Sequence, residues 1–241
     1  GGFGNIEDLN PISKYLSKHF NIIGIDSTGH GKSTLGKKSL TYEKLQDDIS
    51  KVLNYLEIKN FSILGFSDGA VIALRLASDE NFNINKLVAI STSWCINDVI
   101  ESEEMLKSID INSAKEIFAD SYDFYQVNNP KPDFELFVKQ ILNMWLDKSS
   151  NGQPDENVSK IKTPTLLIRG DNDFLSSLES YVELQKNIEI IFDTTTFSFA
   201  EIITFMQLNK SKNLSFKNYI SSSNYLIGSN NSNDRGQIIL L

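Results

Sequence analysis

A chain of 241 residues has room for one domain with a substantial core and too little for two large ones. Its 23 Lys and Arg stand against 31 Asp and Glu, a formal charge of -8, so no basic field is present to neutralise nucleic-acid phosphates or an anionic membrane surface. The single Cys excludes an intramolecular disulfide framework and a cysteine-rich zinc site and points to a reducing, cytoplasmic compartment, while no apolar run reaches the roughly 18 residues of a membrane span.

From the amino end, the chain opens on GGFGN with no initiator Met, as if partway through a motif. FNIIGID (20–26) then predicts a first strand, and DSTGHGKST a loop behind it. Tyr42 to Leu56 places Leu45, Ile49, Val52, Leu53 and Leu56 on one helical face. NFSILGF (60–66) predicts a second strand, a mostly apolar helix from Asp68 to Ala77 follows it directly, and KLVAIS (86–91) predicts a third strand. The alternation then breaks. From about 93 to 160 the surroundings are helical and rich in large apolar side chains, Phe118, Phe134, Phe137 and Met144 among them. This predicts a lid inserted over the carboxyl ends of the strands, where open sheets bind ligands, against the plainer reading of extra core helices. PTLLIRG (164–170) and IEIIF (188–192) predict two more strands.

Runs of Ile, Val and Leu without clean alternation suit strands buried on both faces. The fold class is therefore α/β, a mostly parallel sheet flanked by helices and joined by right-handed crossovers. From 209 to 241 the composition turns to Asn and Ser, predicting a poorly ordered or loosely packed tail behind a domain spanning 1–208. The terminal QIILL has the composition of a further strand, with nothing in the sequence to fix its place.

The strongest chemical signal is ILGFSDGAVIAL, Ile63 to Leu74. It reads G-x-S-x-G as Gly65, Phe66, Ser67, Asp68 and Gly69, with a strand before and a helix after. Such a turn holds a serine hydroxyl out at the top of a sheet, and the helix amino end favours negative charge developing on a bound carbonyl. PTLLIRGDNDFLSS delivers Asp171 and Asp173 to the same edge. An acid there can orient a histidine; Asp173 is the first choice and Asp171 the second, against a solvated pair in an ordinary turn.

With these blocks in order, residues 1 to about 208 resemble the α/β-hydrolase superfamily, in particular small serine esterases with a GWSDGG-like turn. GGFGN resembles the family's HGG-x-G oxyanion segment without its leading His. DSTGHGKST resembles the loop after the fourth strand, GFSDG the nucleophile elbow, and PTLLIRGDND the acid strand and loop. The resemblance implies Ser67 as nucleophile, Asp173 as acid, the backbone N–H groups of Gly2 and Asp68 as oxyanion hole, no cofactor, and a small-molecule acyl substrate or ligand.

Two departures stand out. The family's base follows the last strand in a loop like p-x-x-x-H-S-F, and this chain has DTTTFSF, with Phe197 at the His position. A serine hydroxyl needs a positioned base to take its proton, and Phe has no lone pair. The chain's two histidines are His19, before a strand, and His30, a family loop position that is usually structural but lies along the same sheet edge and is the alternative base. The implied activity is an impaired serine hydrolase acting on a small ester, or a non-catalytic ligand- or protein-binding relative. The second departure concerns the strand that precedes the oxyanion loop, which in the family lies between the FNIIGID and nucleophile strands. The chain starts immediately after that strand, so the sheet is expected to lack its shared neighbour and the chain to be a fragment, an incomplete gene model or a remnant, the alternative being a rearranged sheet that satisfies the same hydrogen bonds another way.

Other features carry less. GHGKST lacks the first Gly of a phosphate loop, Asp26 standing in that place. Cys95 has no basic neighbour in sequence and suits apolar packing. Trp94 and Trp145 are candidates to line an acyl pocket, and no spacing supplies a metal site.

Overall fold

The computed structural model of the chain describes residues 1–173, 175–197 and 235–241, with backbone alone over 192–197. A single-turn 3-10 helix, Ile6–Leu9, runs into α1 (Asn10–Leu16), whose start is set by Pro11 in its first turn. Then come β1 (Asn21–Gly24), α2 (Tyr42–Tyr55), β2 (Asn60–Phe66), α3 (Asp68–Ser78) and β3 (Asn83–Ile90). Four helices follow: α4 (Ile96–Lys107), α5 (Ile111–Ile117), α6 (Ala119–Asn128) and α7 (Phe134–Trp145). A short 3-10 helix, Asp155–Lys160, leads to β4 (Thr165–Gly170), α8 (Leu178–Asn187), β5 (Ile191–Phe197) and, at the end of the chain, β6 (Gln237–Leu240). The predicted helix over 42–56 is α2, capped by the Thr41 side chain accepting from the Lys44 N–H. Its buried face is narrower than the pattern suggested: Leu45, Ile49 and Leu53 are buried, while Val52 and Leu56 reach solvent.

The six strands form one parallel sheet in the order β1-β6-β2-β3-β4-β5. Side chains alternate between its faces. Ile63, Leu87, Leu167 and Ile239 join the core beneath α2, α3, α8 and the lid, and Leu64, Val88, Leu166, Ile238 and Leu240 join the core beneath α1. Both faces are covered, which is why the strands read as continuous apolar runs.

Strand β6 overturns one expectation. The slot between the FNIIGID and nucleophile strands is filled, and its occupant comes from the far end of the chain. Ile22 and Ile23 pair with Ile238 and Ile239 on one side, and Ile63 and Leu64 pair with Ile239 and Leu240 on the other. Beyond the strand, the Leu241 N–H donates to the Leu64 carbonyl at 3.0 Å and the Phe66 N–H donates to the Leu241 carbonyl at 3.1 Å. The physical demand that buried backbone groups be paired was sound; the inference of a gap was not. Residues 235–241 are thus part of the sheet rather than of a loose tail, and the remainder of the predicted tail, 209–234, lies outside the described residues.

The last predicted strand is also displaced. β5 begins at Ile191 and runs on through Thr194, Thr195 and Thr196, whose β-branched side chains favour extended backbone. Phe197 therefore closes the strand, in register with Gly170 of β4, instead of lying in a loop beyond it. Helices α4 to α7 are the helical insertion expected between the third and fourth predicted strands.

Candidate active site

The turn from β2 to α3 is sterically forced. A Cβ on Gly65 would lie 2.2 Å from the Gly69 carbonyl oxygen, and one on Gly69 would lie 2.3 Å from the Leu241 carbonyl carbon, so neither position has room for a side chain. Between them Ser67 sits at φ 54, ψ -120, a conformation that costs a non-glycine residue on the order of 1–3 kcal/mol. The surroundings hold it there: its N–H donates to the Ile90 carbonyl at 2.9 Å, and its own carbonyl accepts from Ala70 at 2.8 Å and Val71 at 3.1 Å. Asp68 opens α3, where a first-turn N–H has no intrahelical acceptor.

Against this turn lies the opening GGFG. A Cβ on Gly1 would be 3.0 Å from the Ser67 Cβ, and one on Gly2 would be 2.2 Å from the Trp145 indole. The Gly2 backbone is pressed between the elbow and the lid. Phe3 then enters the lid's aromatic cluster, its ring centroid 4.8 Å from that of Phe118, 5.4 Å from Phe137 and 5.6 Å from Trp145.

The Asp68 carboxylate clamps this assembly. It accepts from the Tyr42 hydroxyl at 2.7 Å and from the Trp145 indole N–H at 2.9 and 3.0 Å, joining α2, α3 and α7 at one buried point. Hydrogen bonds to a charged group are worth about 1.5–3 kcal/mol each. Asp68→Ala strands two buried donors, and thermal unfolding is expected to show a loss of about 2–5 kcal/mol, with Trp145 fluorescence shifted to the red as the indole gains water.

Above the clamp is a cavity of about 690 Å³, lined from the sheet side by Ser67, Ser91 and Asp173 and from the lid by Met105, Leu106 and Trp145. Of the two tryptophans predicted to line a pocket, Trp145 does so and Trp94 does not. The Trp94 indole N–H instead donates to the backbone carbonyl and hydroxyl of Ser180 on α8, at 3.1 and 2.8 Å. That partner is 86 residues away in sequence, beyond the reach of local pattern.

Burial separates the two candidate acids: Asp171 is exposed and Asp173 is 7% exposed. The Asp173 backbone is held by the Gly170 carbonyl, which accepts from its N–H at 3.2 Å, and by Arg169, whose guanidinium donates to the Asp173 carbonyl at 3.2 Å. One carboxylate oxygen accepts from the Leu175 N–H at 3.1 Å, and the other, Oδ2, is buried with no partner among the described residues. Burial raises the pKa of this carboxyl above its ordinary value. The neighbouring Ser91 hydroxyl offsets part of that rise, although it makes no hydrogen bond of standard geometry.

A carboxyl whose folded pKa lies above its unfolded one binds protons more tightly when folded. Stability is therefore lost as pH rises from the unfolded pKa through the folded one, and the penalty persists at neutral pH. Asp173→Asn is expected to raise the melting temperature at pH 7, with the difference vanishing in acid below the unfolded pKa; a variant that melts lower at pH 7 would contradict this.

Neither histidine lines the cavity. His30 is buried with its ring edge-on to Phe137, centroids 4.9 Å apart, its Nδ1 3.2 Å from the Thr28 carbonyl, and burial lowers its pKa. His19 is exposed in the turn between α1 and β1. Burial pushes the Cys95 thiol up to about 11, which leaves it protonated and unreactive at neutral pH. Among the described residues no group of three or more His, Cys, Asp or Glu is placed to hold a metal ion. Nor is any described helix long and apolar enough to cross a membrane.

A parallel sheet covered on both faces, a strained serine between strand and helix, and a helical lid over the carboxyl edge define a class, and the sequence agrees with it. Residues 1–129 match the family described as alpha/beta hydrolase fold, and the chain belongs to that family. Among curated proteins it is similar to the AB hydrolase superfamily protein YisY of Bacillus subtilis (strain 168), 26% identical over 202 residues, covering 74% of this chain and 73% of that protein. It is also similar to a putative esterase/lipase of Haemophilus influenzae, 24% identical over 226 residues, covering 79% of this chain and 69% of the relative. Among solved structures, a hydrolase from Pseudomonas aeruginosa PA01 superposes with a TM-score of 0.68 at 17% identity, over 95% of this chain and 88% of the other, a likeness of fold.

Proposed function

We propose that the chain is a serine hydrolase acting on a small ester or related acyl substrate, with Ser67 as nucleophile, Asp173 as the acid and the N–H groups of Gly2 and Asp68 as the oxyanion hole, impaired because Phe197 stands where the base belongs. The observation that carries this reading is the strained Ser67 at the floor of a lidded cavity that is also lined by Asp173, whose buried Oδ2 has no partner of standard geometry among the described residues. That oxygen is where an imidazole N–H would be accepted in a complete triad.

In the reaction, the Ser67 Oγ attacks the carbonyl carbon, the carbonyl oxygen takes the negative charge, and backbone N–H donors stabilise it. The C–O bond to the leaving alcohol then breaks, and water repeats the attack on the acyl-serine to release the acid. With no base, the serine proton passes to solvent, and a residual acceleration on the order of 10³ over water comes from the oxyanion hole and binding. The test is kcat/KM on a short-chain p-nitrophenyl ester for the chain and for Ser67→Ala. Slow turnover that disappears in the variant supports the reading, and equal rates refute it.

One observation favours a second reading: both histidines lie away from the cavity. Tight stoichiometric binding of a small ligand with no Ser67-dependent turnover would make the chain a binding member of its family.

A further inference from the structure

The buried side-chain polar atoms without a hydrogen-bond partner among the described residues are Ser91 Oγ, Gln153 Oε1 and Asp173 Oδ2. All three belong to residues lining the same cavity, and the three residues are 7%, 4% and 7% exposed. A buried polar atom left unpaired costs free energy; the Ser91 hydroxyl and the Asp173 carboxyl act on each other, so Gln153 Oε1 is the atom that marks a place where a ligand's own donor belongs. Every one of them can accept a hydrogen bond. Gln153 is positioned for this, because its amide N–H donates to the Ser93 hydroxyl at 3.0 Å and fixes the amide's plane.

The charge of the cavity points the same way. Its charged side chains, among the described residues, are all carboxylates, Asp8, Asp68, Asp98, Glu116, Asp120 and Asp173 among them. Of the buried ones, Asp173 has the Arg169 guanidinium beside its backbone, which favours its charged form. Asp68 is held by neutral donors, and Asp98 accepts from the Trp94 N–H at 2.9 Å and the Ser176 hydroxyl at 3.3 Å. A cleft lined by one sign of charge, with low-dielectric walls, concentrates ligands of the other sign and repels its own.

We infer that the cavity selects acyl groups bearing an ammonium, whose N–H donors meet Gln153 and the carboxylate lining, and rejects acyl groups bearing a carboxylate. The inference rests on the acyl-substrate reading above and adds the substrate's charge to it.

The test separates binding from turnover. The N-methylamides of hexanoic acid, of aminohexanoic acid and of adipic acid as its monoamide share one chain length and end in methyl, ammonium and carboxylate. Calorimetric titration of the chain should show the ammonium amide binding at least about tenfold tighter than the neutral one and the carboxylate amide weakest, the spread narrowing as salt is raised. Gln153→Leu should lower affinity for the ammonium amide more than for the neutral one. Gln153→Glu should raise the ammonium preference, which keeps the test alive if the leucine variant misfolds. Equal affinity for the three amides, or a carboxylate amide binding as well as the ammonium one, would overturn the inference. The matched methyl esters are then assayed for hydrolysis. The expected binding order with no Ser67-dependent turnover leaves the charge selection standing and removes the hydrolase reading; turnover of all three esters at equal kcat/KM does the reverse.

Discussion

Phe197→His is expected to raise kcat/KM on a short-chain p-nitrophenyl ester by about 10²–10⁴-fold, with the whole gain lost when Ser67→Ala is added. The argument is one of backbone placement and an unfilled hydrogen bond. Position 197 closes β5 in register with Gly170, the residue from which the acid loop departs, and the Asp173 N–H turns back onto that same Gly170 carbonyl. The position that would carry the base and the start of the acid loop thus lie side by side at the carboxyl edge of the sheet. Among the described residues, Asp173 Oδ2 accepts no hydrogen bond of standard geometry. An imidazole at position 197 would use it: one ring nitrogen donating to Asp173, the other accepting the Ser67 proton. In the same variant the raised pKa of Asp173 should fall, because a donor to the carboxylate favours its charged form, and the pH–rate profile should show an acid-side limb near neutrality, the rate falling as the new imidazole is protonated. If Phe197→His folds cooperatively and stays silent, position 197 is not where the base belongs and the binding reading gains.

Removal of β6 is expected to abolish cooperative folding. Deleting residues 237–241 leaves β1 and β2, two apolar strands, facing an empty slot, with the N–H and C=O groups now paired to Ile238, Ile239 and Leu240 unsatisfied in the interior. It also takes away Leu241, whose backbone closes against Gly69 beneath the nucleophile turn. Milder changes should scale accordingly. Ile239→Ala, at a side chain 0% exposed, should cost about 2–5 kcal/mol in denaturant unfolding, whereas Leu56→Ala, at a half-exposed position capping the end of α2, should stay within about 0.5 kcal/mol. A chain without β6 that still melts as one sharp transition would mean that the sheet closes in another way.

How much of this was legible in the sequence differs from element to element. The turn around Ser67 was readable because its requirements are local: two glycines where no Cβ fits, a strand before, a helix after. The lid was readable as a break in the alternation of strand and helix. Asp173 could be favoured over Asp171 but not separated from it, since the distinction is burial, and burial comes from Arg169, Leu175 and Ser91 arranged around the loop. Asp68 was noticed for its backbone N–H alone. Its carboxylate clamp could not be seen, because Tyr42 and Trp145 lie 26 and 77 residues away. Gln153 gave no signal at all in a polar stretch.

By itself the sequence determined the parallel α/β class, the strand–turn–helix that strains Ser67, and the delivery of an acid to the same edge, because apolar runs, glycine sterics and turn chemistry act within a few residues of one another. Only the tertiary structure decided that QIILL supplies the strand between β1 and β2 and not a tail, that Trp145 faces the cavity while Trp94 turns to α8, and that the cavity's unpaired acceptors and carboxylates converge on one space. Those outcomes depend on partners far apart in the chain. Pairing and packing between them are set by which buried groups must be satisfied together, and no local pattern carries that information.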